Sequence, residues 1–198
     1  MQVQSSKTTE SLANASKGQW AGRWIWAAII QGIIITAITV LIVEPLSFFN
    51  INWYFSPARV IAGGGGGTWM FTGYILYLVV GVVAVAVTAL FYFYFEVLKG
   101  QVYTGVSNAL AWGHYLLWNV GVAGSMILMI WGGYMAGYSS ASVASGGLGY
   151  SALQVHVNFL GVVEESIGAL VLVAAIGALL GGVGFVLRGR QQEKMMKN

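Results

Sequence analysis

Residues 24–43 read WIWAAIIQGIIITAITVLIV, an uncharged run with Arg23 before it and Glu44 and Pro45 after it. At 1.5 Å per residue, a helix of about twenty residues covers about 30 Å, the thickness of a bilayer's hydrocarbon core. The run reads as a transmembrane helix, and the pattern recurs three more times along the chain. A second apolar run extends from about Trp69 to Leu98, a third from about Val106 to Tyr138 and a fourth from about Leu153 to Leu187. The last three exceed the minimum length, which implies tilt or projection into water. The second closes on Phe91-Tyr92-Phe93-Tyr94-Phe95, read as an aromatic belt at one interface. The expected fold is an all-α polytopic membrane protein, a four-helix transmembrane bundle.

Composition supports this reading. Hydrophobic residues make up 58% of the 198 positions and charged residues 8%, against about 25% in soluble proteins. So few charges cannot cover the surface of a water-soluble domain of this length. Glycine is abundant at 28 residues while proline occurs twice, a pairing that suits closely packed membrane helices. There is no cysteine, which excludes disulfides, thiolate metal sites and covalently attached haem within the chain. The formal charge of +3 does not point to nucleic acid, because the basic residues gather at the two ends.

Those basic residues orient the spans. With four crossings, Lys7, Lys17, Arg23, Lys99, Arg188, Arg190, Lys194 and Lys197 share one side, and Arg59 stands alone on the other. Positive residues concentrate on the cytoplasmic side of membrane proteins, so both termini are expected in the cytoplasm. Residues 1–20 read as a polar tail without the apolar stretch of a signal peptide, 21–188 as one transmembrane domain, and 189–198 as a basic tail. The outer loops fall at residues 45–67 and 139–151. The first holds Trp53, Tyr54 and Phe55, then five glycines from Gly63 to Gly67, which read as a hinge or as a segment fixed by a neighbour. The second is rich in Ser, Gly and Ala. Neither contains a carboxylate, a composition that suits an acidic exterior.

Polar side chains within the spans need partners, because burying them in hydrocarbon is costly. Gln31 is alone in the first span and reads as an interhelical hydrogen bond. His114 and Asn119 lie in the third span; His156, Asn158, Glu164 and Glu165 lie in the fourth. Glu164 and Glu165 fall about 10–12 Å along the helix from Val157. Being adjacent, they cannot both face one neighbour. They read as proton, ion or inter-subunit groups, or as carboxyls hydrogen-bonded inside the bundle, with Asn119, Trp118 and Ser125 as candidate partners. Asn158 is seven positions before Glu165 and is expected on the same stripe. The histidines are candidate haem ligands. The spans run in opposite directions, however, so the two rings are expected about 20–30 Å apart in height, too far to share one haem. Small residues four apart (Gly132 and Ala136, Gly133 and Gly137, Gly177 and Gly181) allow close helix contact. No catalytic set and no metal motif is present.

The stretch Ala111-Trp112-Gly113-His114-Tyr115-Leu116-Leu117-Trp118-Asn119-Val120-Gly121 resembles helices of the haem–copper oxidase superfamily, as does Val155-His156-Val157-Asn158-Phe159-Leu160-Gly161. Membrane helices of that family often carry a histidine followed by Asn and Gly. The resemblance is confined to the third and fourth spans. A catalytic oxidase subunit needs about six histidine ligands, and this chain has two; it also lacks the cysteines of a dinuclear copper site. The resemblance therefore implies a small accessory membrane subunit of a haem–copper quinol or terminal oxidase, or of a related respiratory complex. Such a subunit would stabilise the catalytic one, with any haem held through partner subunits. The alternative is a small proton- or cation-conducting component that uses Glu164 and Glu165.

Overall fold

A computed structural model of the chain describes residues 18–43 and 56–197, with side chains to residue 190. Every regular element in it is helical. Four helices are long and apolar enough to cross a membrane: α1 (Gln19–Val43), α3 (Gly66–Leu98), α4 (Gly105–Ser140) and α5 (Ala152–Lys197), the last over its part Ala152–Arg190. A short helix, α2 (Pro57–Ala62), lies between the first two. The chain is an all-α membrane protein.

Local chemistry sets the helix ends. The Ser56 side chain accepts from the backbone N–H of Arg59, and Pro57 occupies the first turn, so α2 starts there. Gly64 and Gly65, at φ +69° and +53°, turn the chain into α3. Thr104 and Ser107 form a capping box at α4, and Ser151 and Gln154 another at α5. Three π-helical stretches interrupt the long helices: Tyr77–Val83 and Tyr94–Leu98 in α3, and His156–Leu160 in α5.

α4 is central, with α3 on one side and α5 on the other, and α1 packs mainly on α3 while also touching α4. Glycines permit the close approaches. A Cβ on Gly133 would lie 2.1 Å from the backbone nitrogen of Met70, and one on Gly177 2.6 Å from that of Trp118. α5 leans mainly on α4, and only near its end does Phe185 reach Phe91, Tyr92 and Phe95 of α3. Large apolar side chains such as Ile25, Ile29, Ile33, Leu172 and Leu179 are exposed, as expected for helices solvated by lipid.

Several boundaries differ from the sequence reading. The polar tail read over residues 1–20 gives way to helix at Gln19, and Trp20 is buried; residues 1–17 lie outside the described part. The stretch read as a basic tail from residue 189 continues α5 through Lys197. The aromatic run 91–95 is divided: Tyr92 and Phe95 point into the core while Phe91, Phe93 and Tyr94 are exposed. The five glycines are fixed by neighbours in their second half, where Gly66 abuts Gly137 and Gly67 abuts the Val60 carbonyl. Glu44, Trp53, Tyr54 and Phe55 lie outside the described residues.

Candidate functional site: a closed basic end and an open helix face

The ends of α1, α3, α4 and α5 that carry most of the basic residues meet in one dense cluster. Glu96, 3% exposed, lies in the last turn of α3. Its Oε2 accepts from the backbone N–H groups of Trp20 and Ala21, each at 2.9 Å, and its Oε1 also accepts from Trp20 at 3.1 Å. The first N–H groups of a helix have no partner within it, and the helix dipole is positive there. A carboxylate from α3 therefore completes the start of α1.

Aromatic rings fill the space around this cap. The Arg23 guanidinium lies 4.4 Å from the Trp20 ring and 4.6 Å from that of Trp112. Trp24 stacks on Tyr92 and contacts His114, with ring centroids 4.6 Å apart in the second pair. Arg188, buried at the end of α5, donates to the Val102 carbonyl at 2.7 Å and to Ser107 Oγ, and lies over the Tyr103 ring. Gln101 Nε2 donates to the Arg188 carbonyl at 3.3 Å. Burial pushes the Tyr103 phenol well above its usual pKa; nearby Arg188 opposes the shift and Glu96 adds to it. Tyr103 stays protonated at physiological pH.

His114 is enclosed in this cluster. Its Nδ1 lies 3.2 Å from Tyr92 Oη, and the rings of Trp24, Trp118 and Phe185 surround it. Gly181 of α5 presses on the imidazole so closely that a Cβ there would lie 2.3 Å from Nδ1. A haem iron could approach this ring only if these neighbours moved. His156 is exposed, and twenty-five residues separate it from Gly181, about 37 Å along α5. The two histidines do not fit one haem. Among the described residues, no three His, Cys, Asp or Glu side chains converge on a metal-sized site.

The remaining candidates separate into an inward pair and an outward set. Gln31 Nε2 donates to Asn119 Oδ1 at 2.5 Å, and Asn119 Nδ2 donates to the Tyr115 carbonyl at 2.7 Å. Asn119 thus serves the α1–α4 contact. Ser125 donates to the Gly121 carbonyl of its own helix. Neither these residues nor Trp118 is shown bonded to the glutamates. Asn158, Glu164 and Glu165 are all exposed, as is the adjacent Ser166. The π turn His156–Leu160 interrupts the regular phase that aligned Asn158 with Glu165.

Neighbouring helices give the level of the glutamates within the bundle. Near the Val43 end of α1, Ile42 joins a cluster with Ile130 and Tyr134 of α4. Between those two residues, Gly132 of α4 faces Val163 of α5. Glu164 and Glu165 therefore lie near the level of the Val43 end of α1.

The exposed face of α5 carries a repeat that runs past the glutamates. Gly161, Gly168, Ala175, Gly182 and Gly189 recur every seven residues, with Glu165, Leu172, Leu179 and Val186 between them. A Cβ on Gly168, Gly182 or Gly189 would meet nothing within 4 Å, whereas Gly177 and Gly181, on the α4 side, are tightly packed. Sequence reasoning recognised the second pair but missed the seven-residue period. It also passed over Glu96 and treated Arg188 only as an orienting charge. No family model, no curated protein and no solved structure matches this chain.

Proposed function

We propose that this chain is an accessory integral membrane subunit that docks a partner membrane protein on the open face of α5. The repeat of small residues on that face is the observation that carries the reading. Small residues let helix backbones approach closely in lipid, and a seven-residue period suits two helices packed along their length. Glycine within a helix costs about 0.5–1 kcal/mol relative to alanine, and nothing in the described part of this chain uses the space left by Gly168 and Gly182. Glu164 and Glu165, at the outer end of the same helix, offer acceptors to a basic or amide side chain of the partner.

The resemblance of the third and fourth spans extends the proposal. The partner is then the catalytic subunit of a haem–copper quinol or terminal oxidase in the cell membrane, and it holds the haem. The basic residues favour an orientation with both termini in the cytoplasm. The conducting alternative needs Glu164 or Glu165 within a path across the bilayer; their exposure on α5, outside the helix contacts, favours docking instead.

The test is purification in mild detergent, from wild type and from a Gly168→Leu/Gly182→Leu double variant. The wild type is expected to bring down a membrane partner with haem absorbance, while the double variant comes alone with its own thermal stability unchanged. Recovery of the wild type without any partner, or of the double variant with its partner, would remove the docking reading. A partner without haem absorbance would remove the oxidase assignment alone.

A further inference from the structure

We infer that the groove between α1 and α4 binds one anionic phospholipid, with its head group on Arg23 and an acyl chain along the groove. Arg23 is the last charge before the uncharged run 24–43, the position at which a spanning helix passes from head groups into hydrocarbon. Its guanidinium bridges the two helices, 4.4 Å from the Trp20 ring of α1 and 4.6 Å from the Trp112 ring of α4. This bridge is open to the outside: Arg23 is half-buried and Trp112 is 38% exposed.

An apolar cleft continues from the bridge. Trp112 contacts Tyr115, with ring centroids 6.0 Å apart. Tyr115 in turn lines a cleft of about 300 Å³ together with Ala27, Ile30, Ile34, Val120 and Ala123. Ala27 follows Arg23 by four residues and so lies one turn along on the same side of α1. Exposed Ile30 and Val120 leave the cleft open to surrounding lipid. Gln31 and Asn119 also line it, and their amides bond to each other. From Arg23 to Ile34 the groove runs eleven residues, about 16 Å of helix. One leaflet is half of a hydrocarbon core about 30 Å thick. The groove therefore has the length of one acyl chain hung from a head group at Arg23.

Charge selects the head group. Glu96, the carboxylate at this end, directs both oxygens to the backbone N–H groups of Trp20 and Ala21. A guanidinium resting on aromatic rings keeps N–H donors that bind phosphate oxygens in a forked geometry. Lys99, Arg188 and Arg190 share this end with Arg23, so the described residues there are positive in sum. Such clusters favour anionic over zwitterionic lipids.

The test is native mass spectrometry of the full-length protein in detergent. The added compounds are phosphatidylglycerol, phosphatidylcholine with the same acyl chains, and glycerophosphoglycerol, which has the anionic head group and no chains. One phosphatidylglycerol per chain should bind at least about fivefold more tightly than phosphatidylcholine, the factor for one basic residue near an anionic lipid. Glycerophosphoglycerol should not bind. Arg23→Gln should weaken phosphatidylglycerol binding by about fivefold or more. Lys99→Gln, which removes a cation that lies over the Tyr94 ring, should weaken it less than about twofold. Ala123→Leu keeps Arg23 and fills the cleft, and should weaken binding at an unchanged melting temperature. Equal binding of the two lipids, binding of glycerophosphoglycerol as tight as that of the lipid, or an equal loss in Lys99→Gln and Arg23→Gln would overturn the inference. So would undiminished binding by Arg23→Gln or Ala123→Leu, or a lower melting temperature for Ala123→Leu, which would mean that the cleft has no room.

Discussion

Glu96 Oε2 accepts the backbone N–H of Trp20 at 2.9 Å across 76 positions of sequence. The last turn of α3 is thus the cap of α1, and these two neighbouring helices are tied at their basic ends by a charge–dipole contact as well as by packing. Replacing Glu96 by alanine leaves the Trp20 and Ala21 N–H groups buried without an acceptor. The expected loss is about 1–3 kcal/mol. Glu96→Gln, which keeps one carbonyl oxygen, should lose less. Thermal unfolding in detergent, followed by circular dichroism, measures both; equal melting temperatures for wild type and Glu96→Ala would show that the cap does not hold α1.

Two adjacent glycines should respond oppositely to the same change. Gly181→Ala places a methyl group against the His114 ring, and overpacking of this kind costs about 1–3 kcal/mol. Gly182→Ala meets open space and should be neutral or stabilise the purified chain by up to about 1 kcal/mol, from helix propensity alone. The two single variants, melted side by side, check the assignment of the α5 faces. A larger loss at Gly182 than at Gly181 would reverse it.

Tyr92→Phe removes the 3.2 Å contact with His114 Nδ1 and keeps the ring that stacks on Trp24. The expected cost is about 1 kcal/mol or somewhat more, because the imidazole nitrogen is left buried without its partner. Tyr94→Phe, at an exposed tyrosine two residues on, is the control and should change stability by less than about 0.5 kcal/mol. If the two variants melt together, the histidine does not depend on that hydroxyl.

Because the chain has no cysteine, single thiols report on orientation directly. Ser145→Cys, at the exposed outer turn, should react with a membrane-impermeant maleimide on intact cells. Arg190→Cys, exposed at the basic end, should react only after the cells are opened. The reverse pattern would invert the orientation inferred from the charges, and reaction of both thiols on intact cells would break the four-span scheme.

The four helices were legible because each presents an uninterrupted apolar run between polar or flexible residues, and lipid solvation imposes that pattern on sequence directly. The start of α1 was not. Gln19 and Trp20 extend the helix because a carboxylate from 76 positions away caps it, and nothing near residue 20 announces that partner. Pairings among the polar residues were hidden for the same reason. Gln31 was read as an interhelical hydrogen bond and makes one, but its partner Asn119 had been grouped with the glutamates. Small residues four apart could be seen in the sequence; which of them the chain itself fills, and which it leaves open, depended on knowing that α5 has α4 on one side only.

The basic end is closed by latecomers. Glu96 is translated after α1, so the first N–H groups of α1 have no carboxylate cap until α3 has been made. The turn between α3 and α4 likewise waits for Arg188 before its Val102 carbonyl and Ser107 hydroxyl are engaged. Locking of this face therefore follows translation of α5, and a nascent chain truncated before residue 188 would present it unsealed.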